Sequence, residues 1–514
     1  MIQLKADILN EIPKIDAESA TYAESSVYFS NVHTKIEQVT LPEYRQFLEK
    51  LEKHDFKAKH VCENGLRDFC YNAVFEKNGR VLYLRYVITW KRIYMNYGID
   101  PYLSAWTGQD VFVNVPKLYA HEAEFYTPQD YGAGNYTVEI DCVTMTDYQD
   151  YLSRLEENQF SKFAVNEEGV NGTLFCANYE KENLYVTVIY VANMKKIYVS
   201  ACYDQPFSEH LLYKNTYVEG NKEGAQTTLH MLKLDGGGNC FVWKLKNGHF
   251  LVSDGGLPCD TDILYEYLEK EAPEGEKPVV EGWFISHGHM DHCGPFECIV
   301  SQPEKYADRI FVEGIYYNEP NDLVMSLDPQ ICKASTVLVK DALNVLKTTM
   351  GRNPRIYRTQ TGQRYYFNDV MVDIVVGQEQ IPFKHYSGDM NDSSTWCMFH
   401  VEGQKCMFGG EGDRGGMKLI MCAYDRSYME VELFTLLHHG WNTRDFFTDF
   451  CKVKTTLVTC LAAQGCKLPA MREKENTHMK EQSEEWVSWE DGTKVLAFPY
   501  EVGSYMTCLG NVPL

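Results

Sequence analysis

The sequence predicts an α/β protein in two parts, a front half built from two copies of one small α+β unit and a longer α/β unit behind it. Two observations carry this reading. A stretch beginning at Val39 returns at Val143 with a constant offset of 104 residues, and from about residue 226 strand-like runs alternate with helix-like ones. At 514 residues the chain is too long for one ordinary core, and its length suggests about three domains. The expected division is 1–104 for the first repeat unit, 105–208 for the second, 209–225 for a linker and 226–514 for the last domain.

In the repeat, Val39-Thr-Leu-Pro-Glu-Tyr44-Arg-Gln-Phe47-Leu48-Glu-Lys-Leu51 is echoed by Val143-Thr-Met-Thr-Asp-Tyr148-Gln-Asp-Tyr151-Leu152-Ser-Arg-Leu155. The offset holds without a gap at Phe56 and Phe160, Ala73 and Ala177, Ile93-Tyr94 and Ile197-Tyr198, and Asp100 and Asp204. Tyr44, Phe47, Leu48 and Leu51 have helical spacing, as do Tyr148, Tyr151, Leu152 and Leu155, while Thr40 and Thr144 stand where N-cap hydroxyls belong. Three strand-like runs follow each helix, so the expected unit is an amphipathic helix on a small antiparallel sheet. Neither copy holds a glycine-rich phosphate loop or a histidine cluster. A scaffold or self-association module is the expected role, with a substrate-selecting lid as the sharper alternative.

After a Gly- and Glu-rich linker ending near Ala225, Asn239 to Gly256 reads as a hairpin turning at Asn247-Gly248. Helices are expected from Ile263, from Pro295 to Asp308 and from Ser335 to Thr349, with strands at Arg309–Val312 and Met371–Val376 between and after them. Further on, Cys451 to Gln464 reads as a strand, Glu485-Trp-Val-Ser-Trp-Glu490 as a closing helix and Lys494 to Phe498 as a last strand.

The chemistry concentrates in Trp283-Phe-Ile-Ser-His287-Gly-His289-Met-Asp291-His292-Cys-Gly294. Four potential metal ligands fall within six residues directly after an apolar strand, in a chain with only 15 histidines. Imidazole and carboxylate together suit zinc and similar divalent ions. A strand that stops just before the cluster splays alternate ligands into one cleft, so a single loop can serve two ions. Downstream, Lys405-Cys-Met-Phe-Gly-Gly-Glu411-Gly-Asp413 delivers carboxylates at the end of an apolar run, and Leu436-Leu-His438-His439-Gly440 delivers a histidine pair on a turn.

With Asp254 at the hairpin's end, these motifs resemble the metallo-β-lactamase superfamily of hydrolases over roughly residues 226–505. The closest subgroup by motif is the soluble hydrolase domain of bacterial DNA-uptake channel proteins, which shares the His-His-Gly ending. The resemblance implies an αββα sandwich and a divalent metal cofactor, one or two ions per chain, zinc first and manganese or iron as alternatives. It implies His287 and His289 on one ion, Asp291 and His292 on the other with His438 or His439, and Glu411 or Asp413 as the bridge. Asp291 and His439 are the implied catalytic residues, and Asp254, Asn391 and Asp392 the supporting ones. Two departures stand out: Met390-Asn391-Asp392 replaces the usual third-motif histidine, for which His385 is a second candidate, and Glu411 replaces the usual bridging aspartate. The implied activity is hydrolysis by a metal-activated water, on a small phosphodiester or related ester. A lactone or thioester hydrolase with the same site, and a non-catalytic metal- or ligand-binding module, are the alternatives.

Composition bounds the partners. With 49 basic and 72 acidic residues the formal charge is −23, which disfavours long nucleic acid and favours a small-molecule substrate. The opening Met1–Pro13 is too charged for a secretory signal's apolar stretch, and no apolar run is long enough to cross a bilayer. An odd count of 17 cysteines without zinc-finger spacing points to reduced thiols in the cytoplasm. Cys293, beside the cluster, is expected to be a packing residue.

Overall fold

The computed structural model describes residues 10–17, 19–22, 26–28, 31–61, 70–99, 110–118, 126–130, 136–141, 143–203, 221–317, 332–350, 354–377, 390–459 and 467–508. The chain forms two compact units: residues 1–130, 134–162 and 178–204 in the first, and 131–133, 163–177 and 205–514 in the second.

The first unit opens with β1 (Asn31–Glu37), α1 (Leu41–Lys53), β2 (Lys57–Val61), β3 (Cys70–Lys77), β4 (Arg80–Val87) and β5 (Arg92–Ile99). The counterparts 104 residues on are β6 (Tyr136–Asp141), α2 (Met145–Glu157), β7 (Ser161–Val165), β8 (Leu174–Lys181), β9 (Leu184–Val191) and β10 (Lys196–Cys202). The strand orders are β1-β5-β4-β3-β2 and β6-β10-β9-β8-β7, with short edge strands added beside β1 and β6. Each helix begins in a capping box. The Thr40 amide donates to Glu43 Oε2 at 2.7 Å, and the Thr144 amide donates to Asp147 Oδ2 at 2.8 Å while Asp147 N donates back to Thr144 Oγ1 at 3.2 Å. Tyr44, Phe47 and Leu51 of α1, and Tyr148, Tyr151 and Leu155 of α2, are the buried stripe. Within this unit Glu139 accepts ion pairs from both Lys196 and Arg85, and the Glu139 and Lys196 side chains are almost wholly buried. Thr144→Ala should lower stability by about 1 kcal/mol through loss of the cap, read from the midpoint of urea unfolding.

The second unit is built on two mixed sheets. Its elements are β11 (Thr228–Met231), β12 (Cys240–Lys244), β13 (Phe250–Asp254), α3 (Thr261–Glu271), β14 (Val279–Ile285), α4 (Met290–Ser301), β15 (Gly314–Tyr317), α5 (Cys332–Met350) and β16 (Arg355–Tyr357). They continue with β17 (Arg364–Phe367), β18 (Val370–Val376), β19 (Trp396–Val401), β20 (Gln404–Phe408), α6 (Arg414–Ala423), β21 (Glu430–Thr435), α7 (Asp445–Thr448), β22 (Lys452–Val458), α8 (Glu473–Gln482), β23 (Glu485–Ser488), β24 (Thr493–Ala497) and β25 (Tyr505–Cys508). One sheet runs β16-β15-β14-β13-β12-β11-β24-β25 and the other β17-β18-β19-β20-β21-β22-β23. In each, one half is antiparallel and the other parallel: β13 to β16 in the first and β20 to β23 in the second.

Aromatic rings fill the space between the sheets. Trp243 stacks on Phe399 at 4.9 Å, Phe241 meets Phe408 at 4.9 Å, and Phe284 stands edge-on to Phe399 at 5.5 Å. Helices cover the outer faces. Trp283 of β14 packs on Phe296 of α4 at 4.7 Å, and Trp396 of β19 meets Phe447 of α7 at 5.6 Å. The result is an αββα sandwich, the layering expected from the resemblance. No helix among the described residues is long and apolar enough to cross a membrane.

Two expected elements differ. The helix expected from Pro295 starts at Met290 and ends at Ser301, because His289 already has the extended backbone of an N-cap and Pro295 sits inside the first turns. The closing helix expected at Glu485 is strand β23, paired in parallel with β22 from Thr455–Glu485 to Val458–Ser488. Its few residues carry too little periodicity to separate helix from strand, and the open edge of β22 decides.

Candidate metal centre

The loops that bring the histidines, Asp291 and Glu411 to the centre leave the carboxyl ends of strands in the parallel halves of the sheets, while Asn391 and Ser394 precede the antiparallel strand β19. At those carboxyl ends the backbone can turn out of the sandwich without breaking a ladder. Strand β14 ends at Ile285 and hands over Ser286 and His287; His289 caps α4, and Asp291 and His292 occupy its first turn. An acidic side chain is favoured there by the helix dipole. Strand β20 ends at Phe408, and a turn closed by Gly412 N donating to Gly409 O at 3.0 Å carries Glu411 inward. Gly410 has φ +54°, and a Cβ on it would lie 2.5 Å from the Ser286 Cβ, so only glycine lets these loops meet. Strand β21 leads to His438 and His439, both at φ +49°, a left-handed pair that costs about 1–3 kcal/mol per residue and aims both rings at Glu411.

Glu411 is the hub. Its Oε2 lies 3.3 Å from His287 Nε2 and 3.3 Å from His289 Nδ1. Its Oε1 lies 3.4 Å from His292 Nε2, 3.3 Å from His439 Nε2 and 3.5 Å from His438 Nε2. Asp291 Oδ2 stands 3.5 Å from His439 Nε2 and 3.7 Å from His292 Nε2. Two donor groups capable of holding an ion result, Asp291–His292–Glu411–His439 and His287–His289–Glu411, sharing Glu411.

The far side of each buried ring fixes which nitrogen carries the proton. His292 Nδ1 faces Asp254 Oδ2 at 2.8 Å, and a carboxylate can only accept, so Nδ1 donates. Thr459 Oγ1 donates to Asn239 Oδ1 at 2.5 Å and so accepts from His439 Nδ1 at 3.1 Å. Ser286 Oγ donates to Asp254 Oδ2 at 3.1 Å and accepts from His287 Nδ1 at 3.1 Å. In the neutral form of all three rings Nε2 carries the lone pair, buried and without a hydrogen bond; burial favours that form, while the carboxylates of Asp254, Asp291 and Glu411 outweigh it at His292 and His439 and raise both above the ordinary imidazole value. Each lone pair faces a carboxylate oxygen, an arrangement that repels unless a cation stands between. The donor set therefore fits a divalent metal, and nitrogen with oxygen suits zinc.

Charge follows the same geometry. Burial, with the neighbouring His292, pushes the His287 imidazole down to about 4, which keeps it a neutral ligand. Burial would raise the Glu411 carboxyl, but the surrounding histidines outweigh it and hold the carboxyl well below its usual range. Asp291 is also lowered, its burial overcome by His292 and His439.

The other candidates are placed as follows. Asp254, at φ +59°, accepts from Ser286 N at 2.8 Å and holds His292 as described. Asn391 is buried, with Nδ2 3.3 Å from His438 Nδ1. His438 is a quarter exposed and belongs to neither donor group. Asp413 is not brought to the centre: Gly412 turns the chain against the Trp396 ring, and Asp413 Oδ1 meets Arg444 at 3.3 Å at the start of α6. The Asp392 side chain and His385 lie outside the described residues.

Four further residues position the centre. Ser286 and Thr459 orient histidines; Ser394 accepts from Glu411 N at 3.2 Å, and Asn442 donates to Glu411 O at 2.7 Å. Ser286 and Thr459 stand directly after strand ends, Ser394 just before β19, and Asn442 in the loop after His439-Gly440. Thr459→Val should weaken metal affinity about 10–100-fold while leaving the fold intact, measured by competition with a chromogenic chelator.

No family model and no curated protein matches the chain. Among solved structures, the chain is similar to Zn(2+)-bound PqqB from Methylobacterium extorquens, with a TM-score of 0.33 and 10% identity, covering 52% of this chain and 99% of that one. It is similar to a diphosphatase of the PhnP family, with a TM-score of 0.27 and 13% identity over 48% of this chain and 93% of that one. Tm1679, a metal-dependent hydrolase of the β-lactamase superfamily, gives a TM-score of 0.29 and 10% identity over 51% and 95%.

Proposed function

We propose that residues 226–514 form a metal-dependent hydrolase that cleaves a small phosphodiester by attack of water. The observation that carries this reading is the set of buried Nε2 lone pairs on His287, His292 and His439, turned toward the Glu411 and Asp291 carboxylates. His287, His289 and Glu411 would hold one divalent ion, and Asp291, His292, Glu411 and His439 a second. When bound there, such ions supply Lewis acidity and lower the pKa of nearby water toward neutrality.

The chain's own residues do the rest. Asp254, Ser286 and Thr459 lock the ring tautomers, so the histidines need no rearrangement. Asp291 is more open than Glu411, with side-chain exposures of 18% and 3%, and is placed to take the proton of the attacking water. His439 would share the second ion with Asp291, and His438, at the open edge, would orient the leaving oxygen. The choice of a small phosphodiester rests on the His-His-Gly ending and on a charge of −23, which repels long polyanions.

We assign 1–104 and 105–208 to a tandem duplication serving self-association, 209–225 to a linker, and the protein to the cytoplasm. Cys240, Cys259, Cys298, Cys397, Cys406, Cys451 and Cys508 form no disulfide. The test of activity is a panel of bis(4-nitrophenyl) phosphate, a γ-lactone and a thioester with zinc- or manganese-loaded protein. The phosphodiester should be turned over fastest. Turnover of the lactone or thioester alone would transfer the reading to those esters, and no turnover with metal bound would make this a binding module.

A further inference from the structure

A cavity of about 740 Å³ lies in the second unit at the opposite end of the strands from the metal centre. The pairing of β12 with β13 shows the direction: Cys240 opposes Asp254 at the metal end, and Lys244 opposes Phe250 at the other. Its volume is within the ordinary range for a small-molecule site. Val495 of β24, Met506 of β25 and Ala272 and Pro273 after α3 give it a mainly apolar wall.

Two features make the lining of this cavity polar and basic, with Glu271 its one carboxylate. The first is a chain of three groups, Thr228, His230 and Tyr267, all of which line it. Thr228 Oγ1 lies 2.6 Å from His230 Nε2, and His230 Nδ1 is hydrogen-bonded to the Tyr267 hydroxyl. Burial pushes the His230 imidazole down to about 4, so the ring is neutral and carries one N–H. The three groups thus own three polar hydrogens but share only two hydrogen bonds. Whichever tautomer is present, one hydroxyl hydrogen is left over. It sits on Thr228 when Tyr267 donates to the ring, and on Tyr267 when Thr228 does. Both residues line the cavity, so a surplus donor belongs to its lining in either case.

The second feature is charge. Lys222, Lys244 and Lys246 all line the cavity of a protein that is strongly acidic overall. Lys244 is paired with Glu271 at 2.9 Å, and Lys246 with Asp369 and Glu402. Lys222 makes no side-chain ion pair or hydrogen bond among the described residues, and its Nζ lies 3.2 Å from where a Cβ on Gly248 would stand. The surplus hydroxyl donor asks for an acceptor, the exposed Lys222 ammonium adds positive charge at the rim, and the walls suit an apolar body.

We propose that this cavity binds a small amphipathic carboxylate, its acid group held by Lys222 and the Thr228–His230–Tyr267 chain and its hydrocarbon body against Val495, Met506 and Pro273. The proposal is independent of the metal centre and of its substrate.

Octanoate, with 1-octanol as the uncharged control, tests it by isothermal titration calorimetry on the full-length protein. Octanoate should bind, octanol should bind at least about tenfold more weakly, and Lys222→Gln should weaken octanoate by at least about tenfold without altering octanol. Thr228→Val should weaken octanoate again, and Ala225→Trp, a bulky side chain in the wall, should abolish both. Lys222→Gln should keep its metal content and any hydrolytic activity, which separates this site from the centre. Equal binding of octanoate and octanol, no binding of octanoate by the wild type, or undiminished binding by Lys222→Gln would each overturn the proposal.

Discussion

Glu411→Ala should strip the centre of metal, and Asp413→Ala should not. Glu411 is common to both donor groups and meets five histidine nitrogens within 3.5 Å, so its removal takes an oxygen from each ion at once. It also removes the buried carboxylate that balances the cationic charge there. Metal affinity should fall by at least about a hundredfold and hydrolysis by about a thousandfold or more, the scale of losing Lewis-acid stabilisation worth several kcal/mol. Asp413 instead pairs with Arg444, whose side chain is only 10% exposed. Asp413→Ala should therefore cost some stability and leave metal content at the wild-type value. Elemental analysis of the two variants decides. Loss of an ion from the Asp413 variant alone would reverse the assignment, and loss from neither would end the shared-carboxylate account.

The largest stability effect away from the centre should come from Asp373. This wholly buried carboxylate on β18 accepts from Arg364 Nε at 2.7 Å, from His400 Nε2 at 2.9 Å and from the Tyr428 hydroxyl at 3.1 Å. Asp373→Ala leaves the largely buried Arg364 guanidinium without its main counter-charge, a change that typically costs about 3–5 kcal/mol. The melting temperature should drop by roughly 5–12 °C. The pH dependence has a definite sign. Burial alone would raise the Asp373 carboxyl, but His400 and Arg364 outweigh it and hold it below its unfolded value. Its contribution is therefore complete above the unfolded carboxylate pKa of about 3.9, and is lost as pH falls through the lower folded value. The wild type should lose stability over that acid range more steeply than Asp373→Asn. An unchanged melting temperature in Asp373→Ala would mean that the buried charge contributes nothing net.

The centre was legible where chemistry is local in sequence and illegible where it is set by packing. Four ligands within six residues announce themselves, and so does a histidine pair between an apolar run and a glycine. Thr459 does not: it matters only because the end of β22 brings its hydroxyl between His439 and Asn239, 220 residues away from the latter in sequence. Ser286 is similar, since its role depends on the left-handed turn at Asp254. The choice between Glu411 and Asp413 turned on where β20 ends, and the Gly409–Gly412 turn set that by closing directly after Phe408. In the front half the constant offset marked both helices and their caps, because a helix's signals lie within one turn of each other. Strand order is non-local and could not be read. Short β23 was misread for the same reason: its neighbour β22, not its own residues, makes it a strand.

The central claim is that the buried Nε2 lone pairs of His287, His292 and His439 exist to hold cations. Metal content of the purified full-length protein, expressed with supplemented zinc, manganese and iron and measured by inductively coupled plasma mass spectrometry, tests it most directly. The account predicts between one and two transition-metal ions per chain, with zinc favoured, and none in His289→Ala/His292→Ala that is still folded by circular dichroism. A folded wild-type protein that retains no transition metal after supplementation would contradict it.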